Sequence, residues 1–241
     1  MTALTAPRSA LGAGTTEEPA LALSEITKTY DGAHTVLDRV SLEVPRGAFV
    51  AVMGAAGSGK STLLHCAAGL DDPTAGEVRV AGRRISGLSE AKRTLLRQGR
   101  IGFIFQSYNL LPSLTVEENL TLPLRLAGAE ADRGWLDHLT ERCGVSGLLH
   151  RRPSRLSEGQ QQRAAVARAF ASRPDLVFAD EPTGALGPGA AAEILDLLRE
   201  LVDAWAPAVV MVTEDPAASA RAHLTMALEH GRLRPVLTTL T

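Results

Sequence analysis

The sequence predicts an α/β fold with a mainly parallel central sheet, and two segments carry that prediction. One is the apolar run Phe49-Val50-Ala51-Val52-Met53, followed by a glycine-rich turn and a helix-forming stretch from Lys60. The other is Leu176-Val177-Phe178-Ala179-Asp180-Glu181, a short apolar run closed by two carboxylates. Short apolar runs bounded by turn residues mark strands covered on both faces, as parallel sheets require. Open α/β sheets collect ligands at the carboxyl ends of their strands, so both segments point at one crevice.

The elements follow in chain order. Residues 1–20 are Ala, Thr, Gly, Pro and Glu without periodicity, and a disordered tail is expected there, ahead of a single domain over 21–241. From Leu21 to Val52 the pattern alternates and turns at Asp31-Gly32 and Pro45-Arg46-Gly47, which suits a small antiparallel β region. The turn after Met53 then fits the pattern G-x-x-x-x-G-K-[ST]. Its backbone N–H groups, from Gly54, Ala55, Ala56, Gly57, Ser58 and Gly59 into Lys60, Ser61 and Thr62, can turn inward as a nest for phosphate oxygens at a helix N-terminus. In that arrangement Lys60 reaches the outer phosphates and the Ser61 hydroxyl takes one position on Mg²⁺. Without its flanking strand the same pattern also fits a ligand-free turn.

A further strand is expected at Ile101–Phe105, ending at Gln106. From Gln106 to Pro153 no strand pattern occurs, and Thr115–Leu126 and Asp132–Cys143 look helical. Ser157 with Gln160 three positions later forms a capping-box pattern, so a helix should begin at about Glu158 and run toward Phe170. Its N-terminus then offers free N–H groups and the positive end of a helix dipole to an anion. Within Leu176–Glu181, Asp180 suits a metal held through its water shell, and Glu181 suits a base that orients or deprotonates an attacking water. By itself an apolar strand ending in acids is an ordinary strand terminus; the Lys60 loop gives it weight. Residues Glu193–Val202 place Ile194, Leu197, Leu198, Leu201 and Val202 on one core-facing helix stripe, and Ala208–Thr213 reads as another buried strand.

The segment Leu156-Ser157-Glu158-Gly159-Gln160-Gln161-Gln162-Arg163 resembles the signature of ATP-binding-cassette (ABC) ATPases. Tyr30, the Lys60 loop, Gln106, the signature and Asp180-Glu181 stand in that family's order, and the resemblance extends over about residues 21 to 234. The phrases Gly69–Val78 and Phe105–Pro112 look like the branch serving macrolide exporters, lipoprotein-releasing complexes and related permeases, which implies an ATP-hydrolysing subunit of an exporter or of a lipid- or peptide-handling system. The resemblance implies a P-loop NTPase core, an antiparallel β subdomain and a helical subdomain inserted at about 106–172. It implies ATP and Mg²⁺ as cofactors, with Tyr30 stacking on adenine and Gln106 contacting the metal and the attacking water. Ser157, Gly159 and Gln160 would meet the γ-phosphate held by a second ATP-binding subunit, identical or different. Leu110–Leu124 would receive a membrane permease, and the chain would lie on the inner face of the cell membrane, in the cytoplasm, held only through that permease. Lys60 and Ser157 are too close in sequence for the coiled-coil insertion of repair-type members, and one cassette is present where translation-type members carry two.

Two departures from the family pattern bear on activity. Gly184-Ala185-Leu186 continues to Gly187 where an Asp is usual, and Val209–Thr213 is followed by Glu214 where the γ-phosphate-binding switch His is usual. An ionised carboxylate about 4 Å from a phosphate costs roughly 4 kcal/mol at an effective dielectric of 20, an upper bound because Glu214 can rotate away or take up a proton. Weakened hydrolysis is therefore expected, or alternatively a nucleotide-binding regulatory subunit with weak or no turnover. Glu158 stands at the first glycine of the signature, where an acid in the first turn is locally favourable. Ala56 replaces a common Ser at a position where backbone makes the cradle.

Composition narrows the alternatives. With 241 residues, 45% hydrophobic, the chain can bury a substantial core, and a net charge of −2 gives no general attraction to nucleic acid. Cys66 and Cys143 stand in no metal-ligand spacing and suit a reducing compartment. Neither a run of about 18 apolar residues nor a signal-peptide pattern is present, so the chain is expected to depend on another polypeptide for any passage through a membrane.

Overall fold

A computed structural model describes residues 18–236. Among the described residues ten strands and seven α-helices follow in the order β1 (Leu21–Tyr30), β2 (His34–Val44), β3 (Phe49–Met53), α1 (Lys60–Ala67), β4 (Ala75–Val80), β5 (Arg83–Arg84), α2 (Glu90–Arg97) and β6 (Ile101–Phe105). After them come α3 (Val116–Leu126), α4 (Arg133–Arg142), α5 (Glu158–Phe170), β7 (Leu176–Asp180), α6 (Pro188–Trp205), β8 (Ala208–Thr213), α7 (Pro216–Ser219), β9 (Leu224–Glu229) and β10 (Arg232–Pro235). One sheet has the order β2-β1-β4-β5 and is antiparallel; the other has the order β10-β9-β3-β8-β7-β6. In the second sheet β9, β3, β8, β7 and β6 are mutually parallel, and β10 closes the edge antiparallel to β9.

The parallel strands are buried on both faces, and their two-residue alternation divides the interior into two cores. Val50, Val52, Phe178, Val210 and Val212 face α1 and the antiparallel sheet. Phe49, Ala51, Val177, Ala179, Val209 and Met211 face the other way, toward the helices that include α3, α5 and α6. The stripe Ile194, Leu197, Leu198, Leu201 and Val202 is buried in this second core, as its spacing predicts. The expected helices at Thr115–Leu126 and Asp132–Cys143 appear as α3 and α4, each opened by its own side-chain cap: Thr115 accepts from the Glu118 N–H, Asp132 from the Trp135 N–H.

Two expectations need correction or extension. The expected tail over 1–20 is too long: its residues 1–17 lie outside the described residues, but Ala20 is fully buried and its carbonyl accepts from the Ala81 N–H. The antiparallel region also extends past the expected Leu21–Val52, because β4 and β5 return to pair beside β1. Both cysteines are free and buried, and burial pushes each thiol up to about 12.

Candidate functional site

Register assembles the site. Met53 pairs with Thr213, Asp180 with Val212, and Phe105 with Asp180, so β3, β8, β7 and β6 end level with one another. The residues that leave those strands, Gly54, Glu214, Glu181 and Gln106, therefore emerge along one edge. That edge is the crevice the apolar runs predict.

The loop from Gly54 is shaped by contacts that exclude side chains. A Cβ at Gly54 would lie 2.4 Å from the Ser58 hydroxyl and 2.9 Å from the Leu228 carbonyl. Gly59 holds φ at +100 as the N-cap of α1, with Val36 2.8 Å from where its Cβ would stand. No side chain caps α1, so its first N–H groups are left to a ligand. Ala55 and Ala56 are exposed on the loop, and the space above Gly57 is open. The Ser58 hydroxyl is buried without a partner.

Lys60 is buried, and its ammonium donates to the carbonyls of Gly54 at 2.8 Å and Ala55 at 3.0 Å. Its third contact is Oε1 of Glu214, also at 3.0 Å. Glu214 has thus neither turned away from the crevice nor been left merely to repel a phosphate; it is the counter-ion of the loop lysine. Sequence reasoning missed this pair because 154 positions separate the partners. Glu181 Oε1 lies 3.9 Å from the same ammonium, and Oε2 accepts from the Glu214 N–H at 3.3 Å.

Burial raises the carboxyl of Asp180 above its usual range, opposed by His65, a hydrogen bond from the Ser61 hydroxyl and Lys60. Burial raises Glu181 as well, against the Glu214 N–H and the Thr213 hydroxyl. Oε1 of Glu181 is buried with no hydrogen-bond partner, an acceptor with capacity to spare for a water or substrate. Among the described residues no group of three His, Cys, Asp or Glu side chains is placed to hold a metal. Ser61 and Asp180 nevertheless fit a hard cation that takes one or two protein oxygens and draws its other ligands from phosphates and water, as Mg²⁺ does.

Gln106 is exposed, and its amide lies against Gly184, where a Cβ would come within 2.9 Å. The backbone beneath it is held by Gln162, a fully buried residue of α5 to which the sequence reading gave no role. Its amide donates to the carbonyls of Phe105 and Pro182, the residues flanking Gln106 and Glu181. Arg168 on the same helix donates to the carbonyls of Tyr108 and Asn109, both at positive φ. Its place in the signature segment was the only signal for Gln162; the pairing itself depends on how α5 lies on β6.

Tyr30 ends β1, as expected. Its hydroxyl donates to Asp71 at 3.0 Å, and the Lys28 ammonium sits 5.0 Å from the ring centroid, so stacking on a base needs the ring surface that remains. The signature helix α5 begins at Glu158 with the full capping box: Ser157 Oγ accepts from the Gln160 N–H, and Gln160 Oε1 from the Ser157 N–H. A cleft of about 470 Å³ opens beside it, lined by residues including Ser157, Gly159, Gln160, Leu186 and Gly187. No residue of the Lys60 loop lines that cleft, so one chain does not bring the signature to its own phosphate loop.

A glycine-shaped loop feeding an uncapped helix, with paired carboxylates on a parallel strand of the same sheet, defines a P-loop ATPase. Residues 37–184 match the family model described as ABC transporter. The chain belongs to the ABC transporter family, as one of its ATP-binding ATPase subunits. It is 43% identical over 201 residues to the lipoprotein-releasing system ATP-binding protein LolD of Xanthomonas campestris pv. campestris, covering 83% of this chain and 84% of that protein. An uncharacterized ABC transporter ATP-binding protein of Mycobacterium tuberculosis is 39% identical over 225 residues, 91% of each chain. A dimeric ATP-binding cassette in a post-hydrolysis state bound to ADP and Pi superimposes with a TM-score of 0.79 at 34% identity, covering 90% of this chain and 99% of that one. No helix among the described residues is long and apolar enough to cross a membrane.

Proposed function

We propose that the chain binds Mg-ATP at the Lys60 loop and hydrolyses it to drive a separate membrane permease that handles lipids or lipid-linked cargo, in the manner named for its lipoprotein-releasing relatives. The carrying observation is the level ending of β3, β6, β7 and β8, which gathers the loop, Gln106, Asp180 and Glu181 at one edge. The amides of Gly54–Thr62 hold the phosphates, and Lys60 offsets their charge. Mg²⁺, when bound, would neutralise charge on the phosphate oxygens, and Ser61, Asp180 and Gln106 are the residues that would hold it. Glu181 accepts the proton of the attacking water through its free Oε1, and burial makes it a stronger base than an ordinary glutamate. Tyr30 contacts the adenine.

The cleft beside Ser157 receives the terminal phosphate bound by a second subunit, because α5 presents its N-terminus there and the chain's own loop lies elsewhere. A single active site thus needs two cassettes, and the dimeric relative supports that arrangement. Whether the second subunit is identical is decided by the oligomer this chain forms alone. The permease meets the stretch Leu110–Leu124, where Asn119 is fully buried and pins the loop by accepting from the Leu111 N–H and donating to the Leu111 and Thr115 carbonyls. Leu111 remains 44% exposed, an apolar surface for that contact. The chain then resides at the inner face of the cell membrane without entering it.

A second reading, a regulatory subunit with little turnover, is favoured by the Lys60–Glu214 contact and by Gly187, which carries no side chain across the cleft. Turnover of Mg-ATP by the purified chain, alone and with its permease, separates the two. Hydrolysis stimulated by the permease supports the first, and binding without turnover in either state supports the second.

A further inference from the structure

We infer that Glu214 is a specificity-determining residue that makes contact of the terminal phosphate with Lys60 an anion exchange and so weighs against that phosphate, so that the chain discriminates less between ATP and ADP than a cassette without this acid. The inference rests on the assignment of nucleotide to the Lys60 loop. An ammonium has three donors. At Lys60 all three are spent within the chain: two on the carbonyls of Gly54 and Ala55, the third on Glu214. A phosphate can bond to Lys60 only by taking one of those places.

The three places are not equally easy to vacate. The carbonyls belong to a loop held tight by the glycine contacts at Gly54 and Gly59, and moving them disturbs the cradle itself. The Glu214 side chain is 50% exposed, against 7% for Lys60, so water can take it up at little cost. Glu214 is therefore the group that leaves, and the phosphate gains only the difference between two anionic partners. A lysine paired with a neutral neighbour would gain the whole of a charge-assisted contact.

Direction separates the two nucleotides. On the proposed assignment the loop amides hold the inner phosphates, whereas Glu214 lies beside Glu181, whose Oε2 accepts from the Glu214 N–H and whose Oε1 is 3.9 Å from the same ammonium. On the proposed assignment Glu181 faces the water that attacks the terminal phosphate, so Glu214 occupies that phosphate's side of Lys60. ADP leaves this side free and can bind with the Lys60–Glu214 pair intact. ATP must break the pair.

The test is calorimetric titration of the purified chain and its Glu214→Gln and Glu214→Asp variants with Mg-ATP and Mg-ADP, beside Lys60→Ala. Glu214→Gln should tighten Mg-ATP about tenfold or more while changing Mg-ADP by less than about threefold. Glu214→Asp, one methylene shorter, keeps the charge but withdraws it from Nζ, and should fall between wild type and Gln. Without nucleotide, Glu214→Gln should melt below wild type, because Lys60 loses its counter-ion, and should gain more from added Mg-ATP. Equal shifts for both nucleotides, or none, overturn the inference while leaving the site assignment standing, as does an Asp variant indistinguishable from wild type. Failure of the wild type to bind either nucleotide, or of Lys60→Ala to weaken binding, overturns the assignment and the inference with it.

Discussion

The phosphate loop and the signature are both helix N-termini, yet the chain treats them in opposite ways. The start of α1 has no side-chain cap, no acid in its first turn, and a glycine in the left-handed region as N-cap. The start of α5 is capped twice, by Ser157 and Gln160, and carries Glu158 in its first turn. Four N–H groups are orphaned at any helix start, and their satisfaction decides what the end is available for. At α1 they are left to a ligand, while the nearby lysine is satisfied by carbonyls and Glu214. At α5 the helix holds its shape without a ligand and opens into a cleft that its own phosphate loop does not reach. The first end is a site ready within one chain, and the second is half of a site shared between two.

Substitutions can break or sharpen this contrast, beginning with the largest effect. Glu181→Gln should lower Mg-ATP turnover by about 10²–10⁴-fold, the range for losing a positioned base, while nucleotide still binds. An ATP-dependent dimer should then accumulate in sedimentation. A monomer under all conditions would mean that the second half of the site comes from a different chain. Lys60→Ala should weaken Mg-ATP by about 100-fold, since it removes a buried charge-assisted donor and leaves Glu181 and Glu214 facing the phosphates. A nucleotide titration with unchanged affinity would erase the distinction between the two helix ends. Ser157→Ala removes one cap at about 1 kcal/mol and should reduce ATP-dependent dimerisation about tenfold without altering affinity for monomeric nucleotide. Loss of nucleotide binding by the monomer would instead show that α5 serves its own loop.

Smaller changes probe the departures from the family pattern. Glu214→His should raise turnover several-fold by freeing Lys60 and adding a donor, and Gly187→Asp should raise it further. Gly187 has φ −66 and open space at its Cβ, and an Asp there also caps α6, whose N-cap now makes no side-chain bond. The two effects need not add. Turnover that stays flat in Glu214→His with binding intact shows that this acid does not limit hydrolysis. Asp180→Asn should raise the nucleotide-free melting temperature by about a degree at pH 7. Burial lifts the Asp180 pKa above 3.8, so ionisation opposes folding at neutral pH. As pH falls through the raised value and below 3.8, Asp180 is neutral in both states, and the Asn variant should lose its advantage.

Much of this was legible in the residues. Strands covered on both faces leave continuous apolar runs, which is why β3 and β8 were found at their observed limits and β7, expected over Leu176–Glu181, within one residue of them. Caps act over three residues, which is why α5 was found with its start. Two of the elements missed by sequence reading, β5 and α2, lack such local marks. The strand β5 has two exposed arginines, and α2 has no buried residue, so neither carries a core-facing pattern. Ala20 was assigned to a tail because its burial comes from pairing near Ala81, far along the chain.

The sequence by itself determined which groups the molecule owns: the glycines that admit the loop's backbone, the capping box that opens α5, the apolar strands, and the acids at 158, 181 and 214. These depend on interactions a few residues long, so their information is local. Only the tertiary structure decided which of those groups meet. Parallel register set the strand ends level and delivered Glu214 to Lys60 across 154 positions, and α5 lying on β6 put Gln162 beneath both Gln106 and Glu181. Such pairings are fixed by packing two cores on opposite faces of one sheet, a balance over the whole chain that no short segment records.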